Sequence, residues 1–318
     1  MASERKLELV FLWHMHQPDY RDHASGEFRR PWTYLHALKD YTDMAAHLER
    51  NPQVHAVVNF VPVLLDQIED YVRQFDAGDF RDPLLRLLAR ESLEQMDVGE
   101  RSLVLATCFP DNHARMVAPY PRFERLRNLY RLLEGQGKAA TAYLSGAFFA
   151  DLLVWYHLVW TGETERRNQA LLAELMTKGE NFTLDDRRQL LALMGNTLRG
   201  LIPRYRALAE RGQVELSATP DTHPLAPLLL DFASAREAQP DISLPQAHYY
   251  PGGRSRVDRH IALARESHAC RFGQPLAGMW PAEGALSTAF LQQLAAQGCR
   301  WTASSQSVLA NSLRRSRI

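Results

Sequence analysis

Two hydrophobic periods alternate along this chain. Leu7-Glu8-Leu9-Val10-Phe11-Leu12-Trp13 is a nearly unbroken apolar run, the pattern of a strand covered on both faces, and it passes directly into His14-Met15-His16-Gln17-Pro18-Asp19-Tyr20. From Pro31 to Arg50, apolar residues at Trp32, Leu35, Leu38, Tyr41, Ala45 and Leu48 mark one face of a helix that stops before Pro52. Val54 to Val61 reads as a second strand with Asn59 among apolar neighbours, and Pro62 begins a helix through Leu65, Ile68 and Tyr71. From Asp76 to Gly212 the pattern is almost wholly helical, including a run from Asp185 to Arg211 with Thr183 as its cap and Pro203 as a kink. Alternation then returns: strand 214–219, an irregular stretch through Pro240, Pro245 and Pro251, helix 255–272, strand 275–280, helix 287–297 and strand 300–304. Short connections between such elements imply parallel strands and right-handed crossovers. The chain therefore divides into 1–75, a first part of a β/α barrel; 76–211, a helical insertion; and 212–318, a continuation of the barrel.

Polar chemistry begins where strands stop, which is where α/β folds keep their active sites. Glu283, in Met279-Trp280-Pro281-Ala282-Glu283-Gly284, falls in the loop after the buried strand Gln274–Met279, ahead of a helix opened by Ser287. His14 and His16 are two apart, so a strand extending to Gln17 points both the same way. In Gln213-Val214-Glu215-Leu216-Ser217-Ala218-Thr219-Pro220-Asp221-Thr222-His223-Pro224, Glu215 projects away from Val214 and Leu216, into a polar interior or to solvent. His223 reads as a substrate contact or a loop-fixing group. Trp13, Trp32 and Trp280 offer flat faces to sugar rings, although Trp32 also lies on the buried stripe of its helix. Trp155, Trp160 and Trp301 read as core, and Glu283 has the competing reading of an exposed loop glutamate. The His14–His16 pair also suits a zinc-dependent amidase or deacetylase, with His223 and Asp221 as further ligands.

Composition narrows the partners. At 318 residues the chain fits one barrel-sized unit or two ordinary domains. Lys plus Arg and Asp plus Glu are 37 each, which gives no electrostatic case for nucleic acid or an anionic membrane, and the tail Arg314-Arg315-Ser316-Arg317 is too short to change that. Cys108, Cys270 and Cys299 show neither zinc-site spacing nor a disulfide framework and point to a reducing compartment. The amino terminus has neither a spanning helix nor a signal-peptide pattern, so the expectation is a soluble, cytoplasmic protein.

Five ordered blocks then give a resemblance: Trp13-His14-Met15-His16-Gln17-Pro18; Arg30-Pro31-Trp32 with Leu35-His36-Ala37-Leu38-Lys39-Asp40-Tyr41; Asn59 through Pro62; Gly212 through Pro224; and Gly278 through Gly284. Together they resemble family 57 of the glycoside hydrolases, in its α-amylase and α-mannosidase-like branch, over nearly the whole chain and least between 75 and 150. The resemblance implies an α/β fold, an incomplete (β/α)7-type barrel with parallel strands. It implies a retaining hydrolase or glucanotransferase acting on an α-glucan or related oligosaccharide, with no required metal or cofactor. Glu283 takes the nucleophile's place, and His14, His16, Trp32, Glu215, His223 and Trp280 take substrate-binding places. The family's general acid/base is an aspartate on a later strand that finds no match here, so the expectation is a chain truncated before that segment. A retaining glycosidase needs two carboxyl groups roughly 5 Å apart, and losing acid/base help forfeits on the order of 10²- to 10⁴-fold in rate. Glu215, Asp221 and Asp19 are the carboxylates that would stand in, and a non-catalytic carbohydrate-binding remnant is the remaining alternative.

Overall fold

The computed structural model describes residues 9–316 except Pro110 and His248, so Leu7, Glu8 and Arg317 lie outside the described residues. Two compact units make up the chain: Met1–Asp19 with Leu48–Gln67 and Ile202–Ile318, and Tyr20–His47 with Ile68–Leu201. The fold is α/β of the incomplete-barrel kind, helix-rich around one parallel sheet. Its longer helices include α1 (Pro62–Ala77), α2 (Gly146–Val159), α3 (Leu184–Glu210), α4 (Gly253–Phe272) and α5 (Thr288–Ala296).

In the first unit, β1 (Leu12–Met15), β2 (Ala56–Phe60) and β3 (Val214–Ala218) run parallel in the order β1-β2-β3. Their register places His14 beside Asn59 and Asn59 beside Ser217. Parallel bridges at Ala218–Met279 and Gly278–Trp301 add two more segments in sequence. Five parallel segments thus follow chain order, as the periodicity predicts, but the last two are single bridges and not strands. Only Arg300 N–H to Ala277 O at 2.8 Å, Met279 N–H to Trp301 O at 3.1 Å and Trp280 N–H to Ala218 O at 2.9 Å tie them. Gln274 and Pro275, expected inside a buried strand, are exposed.

The opening run also differs from its reading as a strand covered on both faces. Leu9 and Val10, which precede β1, are each 72% exposed, and the strand itself begins only at Leu12. One hydrophobic cluster lies against the end of β3. There Val257, Ile261 and Ala264 of α4, spaced on one helical face, meet Phe290 and Leu294 of α5 together with Ala218, Leu276 and Met279. Burial of each large side chain stabilises by about 1.5–3 kcal/mol. Local signals set the helix starts: Pro62 opens α1, and Ser287 Oγ accepts from Phe290 N–H at 3.3 Å ahead of α5. The Gln213 amide donates to the carbonyls of Leu48, Asn51 and Val54 at 2.7–3.0 Å, fixing the turn that delivers β2.

The second unit is helical. α2 is apolar on nearly every side and buried accordingly. The segment Trp32–Arg50 is helical as its periodicity predicts, with a π turn at Ala37–Tyr41. Thr183 precedes α3 and Pro203 lies inside it. Thr183 Oγ1 accepts from Asp186 N–H at 3.2 Å while Asp186 accepts from Thr183 N–H at 2.6 Å, a reciprocal cap. Two buried guanidinium groups here donate to backbone: Arg101 to the carbonyls of Met96, Thr141 and Leu144, and Arg187 to those of Leu88 and Arg90. Among the described residues, no helix is long and apolar enough to cross a membrane.

Candidate active site

Strand alternation decides which side chains share the pocket. Register places His14, Asn59 and Ser217 in one row, with Glu215 two residues before Ser217 and Thr219 two after it on the same face. Trp13, next to His14 on β1 and paired with Val58, falls on the opposite face, so it offers no stacking surface here. Asn59 is fully buried, and a lone carboxamide in an apolar strand needs partners. Its Nδ2 donates to Ser217 Oγ at 3.0 Å, while its Oδ1 meets Thr219 Oγ1 at 3.0 Å and His14 Nδ1 at 2.6 Å. From His14 the line continues, Nε2 to His223 Nε2 at 3.2 Å. His16 stacks on His223 with ring centres 4.1 Å apart and planes 13° off parallel, and Trp280 lies 6.1 Å from His14. Glu283 completes the group, its Oε1 3.9 Å from His223 Nδ1.

Two loops supply these last residues, and both hold strained backbone. His223 N–H closes a turn on Pro220 O at 2.9 Å, with Thr222 at φ 59° and His223 at φ 60°. A β-branched residue in the left-handed region is a genuine outlier, and His223 is further restricted by preceding Pro224. Gly284 N–H closes the second turn on Pro281 O at 2.9 Å, with Glu283 at φ 55°. Of the described non-glycine residues with positive φ, Asn181 alone lies outside these two turns. Such strain persists where surrounding structure over-determines it, which is common at functional sites. It leaves the Glu283 side chain 75% exposed and that of His223 only 9%.

Crowding favours neutral imidazoles. His16 is pushed down to about 4, by desolvation first and then by the charges of His223 and His14. Desolvation also lowers His14, outweighing the Asn59 hydrogen bond and the Glu283 charge that raise it. His223 is lowered by desolvation and His14 against the pull of Glu283. A neutral imidazole carries one donor and one acceptor, the pairing that a sugar hydroxyl matches. Stacked rings turn their faces and not their lone pairs toward each other, and among the described residues no group of three His, Cys, Asp or Glu is arranged to hold a metal ion.

The remaining sequence candidates lie elsewhere. Glu215 is exposed and accepts from Trp301 Nε1–H at 2.6 Å, so its carboxylate is engaged about 7 Å down the strand from the Ser217 row. Trp301, read as core, is only partly buried and lies across Gly278, where an added Cβ would come within 1.8 Å of the indole. Asp221 turns to His260 on α4, with Oδ2 3.9 Å from Nδ1. Trp32 belongs to the second unit, where it packs 5.5 Å from Trp160 and lines a cavity of about 270 Å³ with Arg29, Phe109 and Asp111. Asn59, Ser217 and Thr219 carried no site role in the sequence reading. The available signal was Asn59 itself, a carboxamide in an otherwise apolar strand.

The family model described as glycosyl hydrolase family 57 matches residues 10–316. Similar solved structures include the α-amylase AmyC from Thermotoga maritima, at 12% identity and TM-score 0.42, covering 92% of this chain and 38% of that one. A GH57-type branching enzyme from Pyrococcus horikoshii gives 16% identity and TM-score 0.42, covering 92% of this chain and 41% of that one. The GH57 branching enzyme TK1436 from Thermococcus kodakaraensis gives 17% identity and TM-score 0.38, covering 92% and 38%. The chain thus spans 38–41% of the length of these proteins. No curated protein matches it.

Proposed function

Because the chain belongs to glycosyl hydrolase family 57, we propose that it works on α-glucans by a retaining mechanism with Glu283 as the nucleophile. The observation that carries this reading is the meeting of Glu283, on a strained turn, with three neutral imidazoles and Trp280 at the carboxyl ends of the strands. In that role Glu283 attacks the anomeric carbon as the bond to the leaving group breaks; a glycosidic oxygen must also take a proton from a second carboxyl roughly 5 Å away, a part that falls to none of the residues gathered around His223. Water or another sugar hydroxyl then releases the glycosyl group, so hydrolysis and transfer share this first step. His14, His16 and His223 hold sugar hydroxyls, and Trp280 offers a ring face. Glu215 joins the substrate-contacting set on the strength of the family block it belongs to. Glu215 keeps acceptor capacity beyond its one hydrogen bond from Trp301.

An activated α-glucosyl fluoride needs no proton on its leaving group, so it tests the nucleophile alone. Incubated with a slow-turnover fluorosugar of this kind, the wild type is expected to gain one glycosyl mass on the peptide containing Glu283. Glu283→Gln should gain none and should lose on the order of 10³-fold or more in turnover of the parent fluoride. Labelling of another carboxylate, or equal turnover by both proteins, removes Glu283 from this role.

A further inference from the structure

We propose that Asn59 is a positioning residue for Glu283, acting through the tautomers of His14 and His223 along one hydrogen-bonded line. This rests on the reading of Glu283 as nucleophile. Ser217 and Thr219 anchor the buried Asn59 amide at one end, and the line then runs through His14 Nδ1 at 2.6 Å and Nε2 to His223 Nε2 at 3.2 Å. His223 Nδ1 faces Glu283 Oε1 across 3.9 Å, within reach of a small rotation of an exposed side chain.

Each link fixes the next, because a neutral imidazole has one N–H and one bare nitrogen. With Asn59 Oδ1 toward His14, the hydrogen sits on His14 Nδ1. His14 Nε2 is then bare, His223 must donate from Nε2, and a bare His223 Nδ1 confronts the carboxylate. With the amide turned over, Nδ2 donates to a bare His14 Nδ1, His14 Nε2–H donates to His223 Nε2, and His223 Nδ1–H points at Glu283. Ser217 and Thr219 satisfy either orientation, since hydroxyls both donate and accept. Amide oxygen and nitrogen are assigned from such networks, so the chemistry of the far end decides between them. Crowding keeps His14 and His223 neutral, and an ionised nucleophile repels a bare nitrogen, so the second orientation is the one that holds Glu283 ready. The charged and titratable groups facing His223 are His14 from β1, His16 just after it and Glu283 from the Trp280 loop, while Asp221 on its own turn is directed to His260 of α4.

Asn59→Asp tests this sharply, because a carboxylate can only accept. Its charge should raise the pKa of His14 by about one unit or more. While His14 is cationic it donates from both nitrogens, and His223 still presents Nδ1–H to Glu283. Above the new His14 pKa the line reverses. Long-range ¹H–¹⁵N correlation spectra of the histidine rings should therefore show His223 protonated at Nδ1 in the wild type at neutral pH. In Asn59→Asp it should switch to Nε2 as pH rises through the His14 titration, and kcat should fall over the same interval with KM little changed, a basic limb the wild type lacks. Asn59→Leu should lower kcat by about 10- to 100-fold, the usual size for losing an orienting partner. If Asn59→Asp does not fold, His14→Phe should by itself abolish the Nδ1–H preference of His223. A wild-type His223 bare at Nδ1, or a His223 tautomer indifferent to these substitutions, overturns the proposal. Tautomers that switch as described without labelling of Glu283 would instead remove the nucleophile reading and leave the line intact.

Discussion

At the scale of single residues, the site is assembled where backbone preferences are overruled. Thr222 and Glu283 both occupy the left-handed region that glycine normally fills. Replacing Thr222 by Gly should remove the cost of a β-branched side chain there, offset in part by the entropy that glycine adds to the unfolded chain. The expected net gain is about 0.5–1 kcal/mol, read as a raised urea midpoint, whereas Thr222→Ala should gain less. A lower midpoint for Thr222→Gly would show that the side chain repays its strain. Glu283, His14 and His16 were legible in the sequence because each follows an apolar run, the mark of a strand's end. The role of Asn59 was not, because its partners His14 and Ser217 lie 45 and 158 residues away in sequence and only strand register joins them.

Among the elements, the periodic ones were legible and the short ones were not. α3, α4, α5 and β3 follow their hydrophobic patterns closely, with Thr183 at the start of α3 and Ser287 at that of α5, where capping chemistry places them. The segments around Met279 and Trp301 read as strands, yet each keeps one bridge. Gly278 lends its neighbour no side chain on that face, and Trp301 fills the vacancy to reach Glu215. Gly278→Ala should thus displace the indole and destabilise by about 1–3 kcal/mol, the usual cost of overpacking. Differential scanning calorimetry should show the drop, and Gly278→Ala with Trp301→Ala should fall short of the sum of the two single losses. Strict additivity would mean that the two residues do not couple.

On the scale of the whole molecule, two buried groups of the helical unit respond to acid in opposite senses. Burial lowers His157 to about 4, so the stability from its neutral form is present above the ordinary value of 6.5 and is lost as pH falls toward 4. Burial raises Asp82 to about 6 against an ordinary 3.8, so the stability from its protonated form is full below 3.8 and is lost as pH rises through 6. Each change is worth roughly 3 kcal/mol. Asp82 caps the helix Pro83–Ala89 by accepting from Leu84 and Leu85 N–H, and Asn caps a helix as well as Asp does, so Asp82→Asn should be more stable than wild type at pH 7. That margin should narrow as pH falls to 4, read from urea midpoints, and a margin constant across that range would refute the assignment. The sequence by itself determined the long helices and the first three strands, their alternation, the family blocks and the polar clusters at strand ends, because these follow from local periodicity and turn chemistry. Tertiary structure alone decided that His14, Asn59 and Ser217 share a row, that Trp13 faces away, and that Trp301 occupies Glu215. Lateral register and the packing of distant side chains depend on the whole chain folding at once, and no window of sequence contains them.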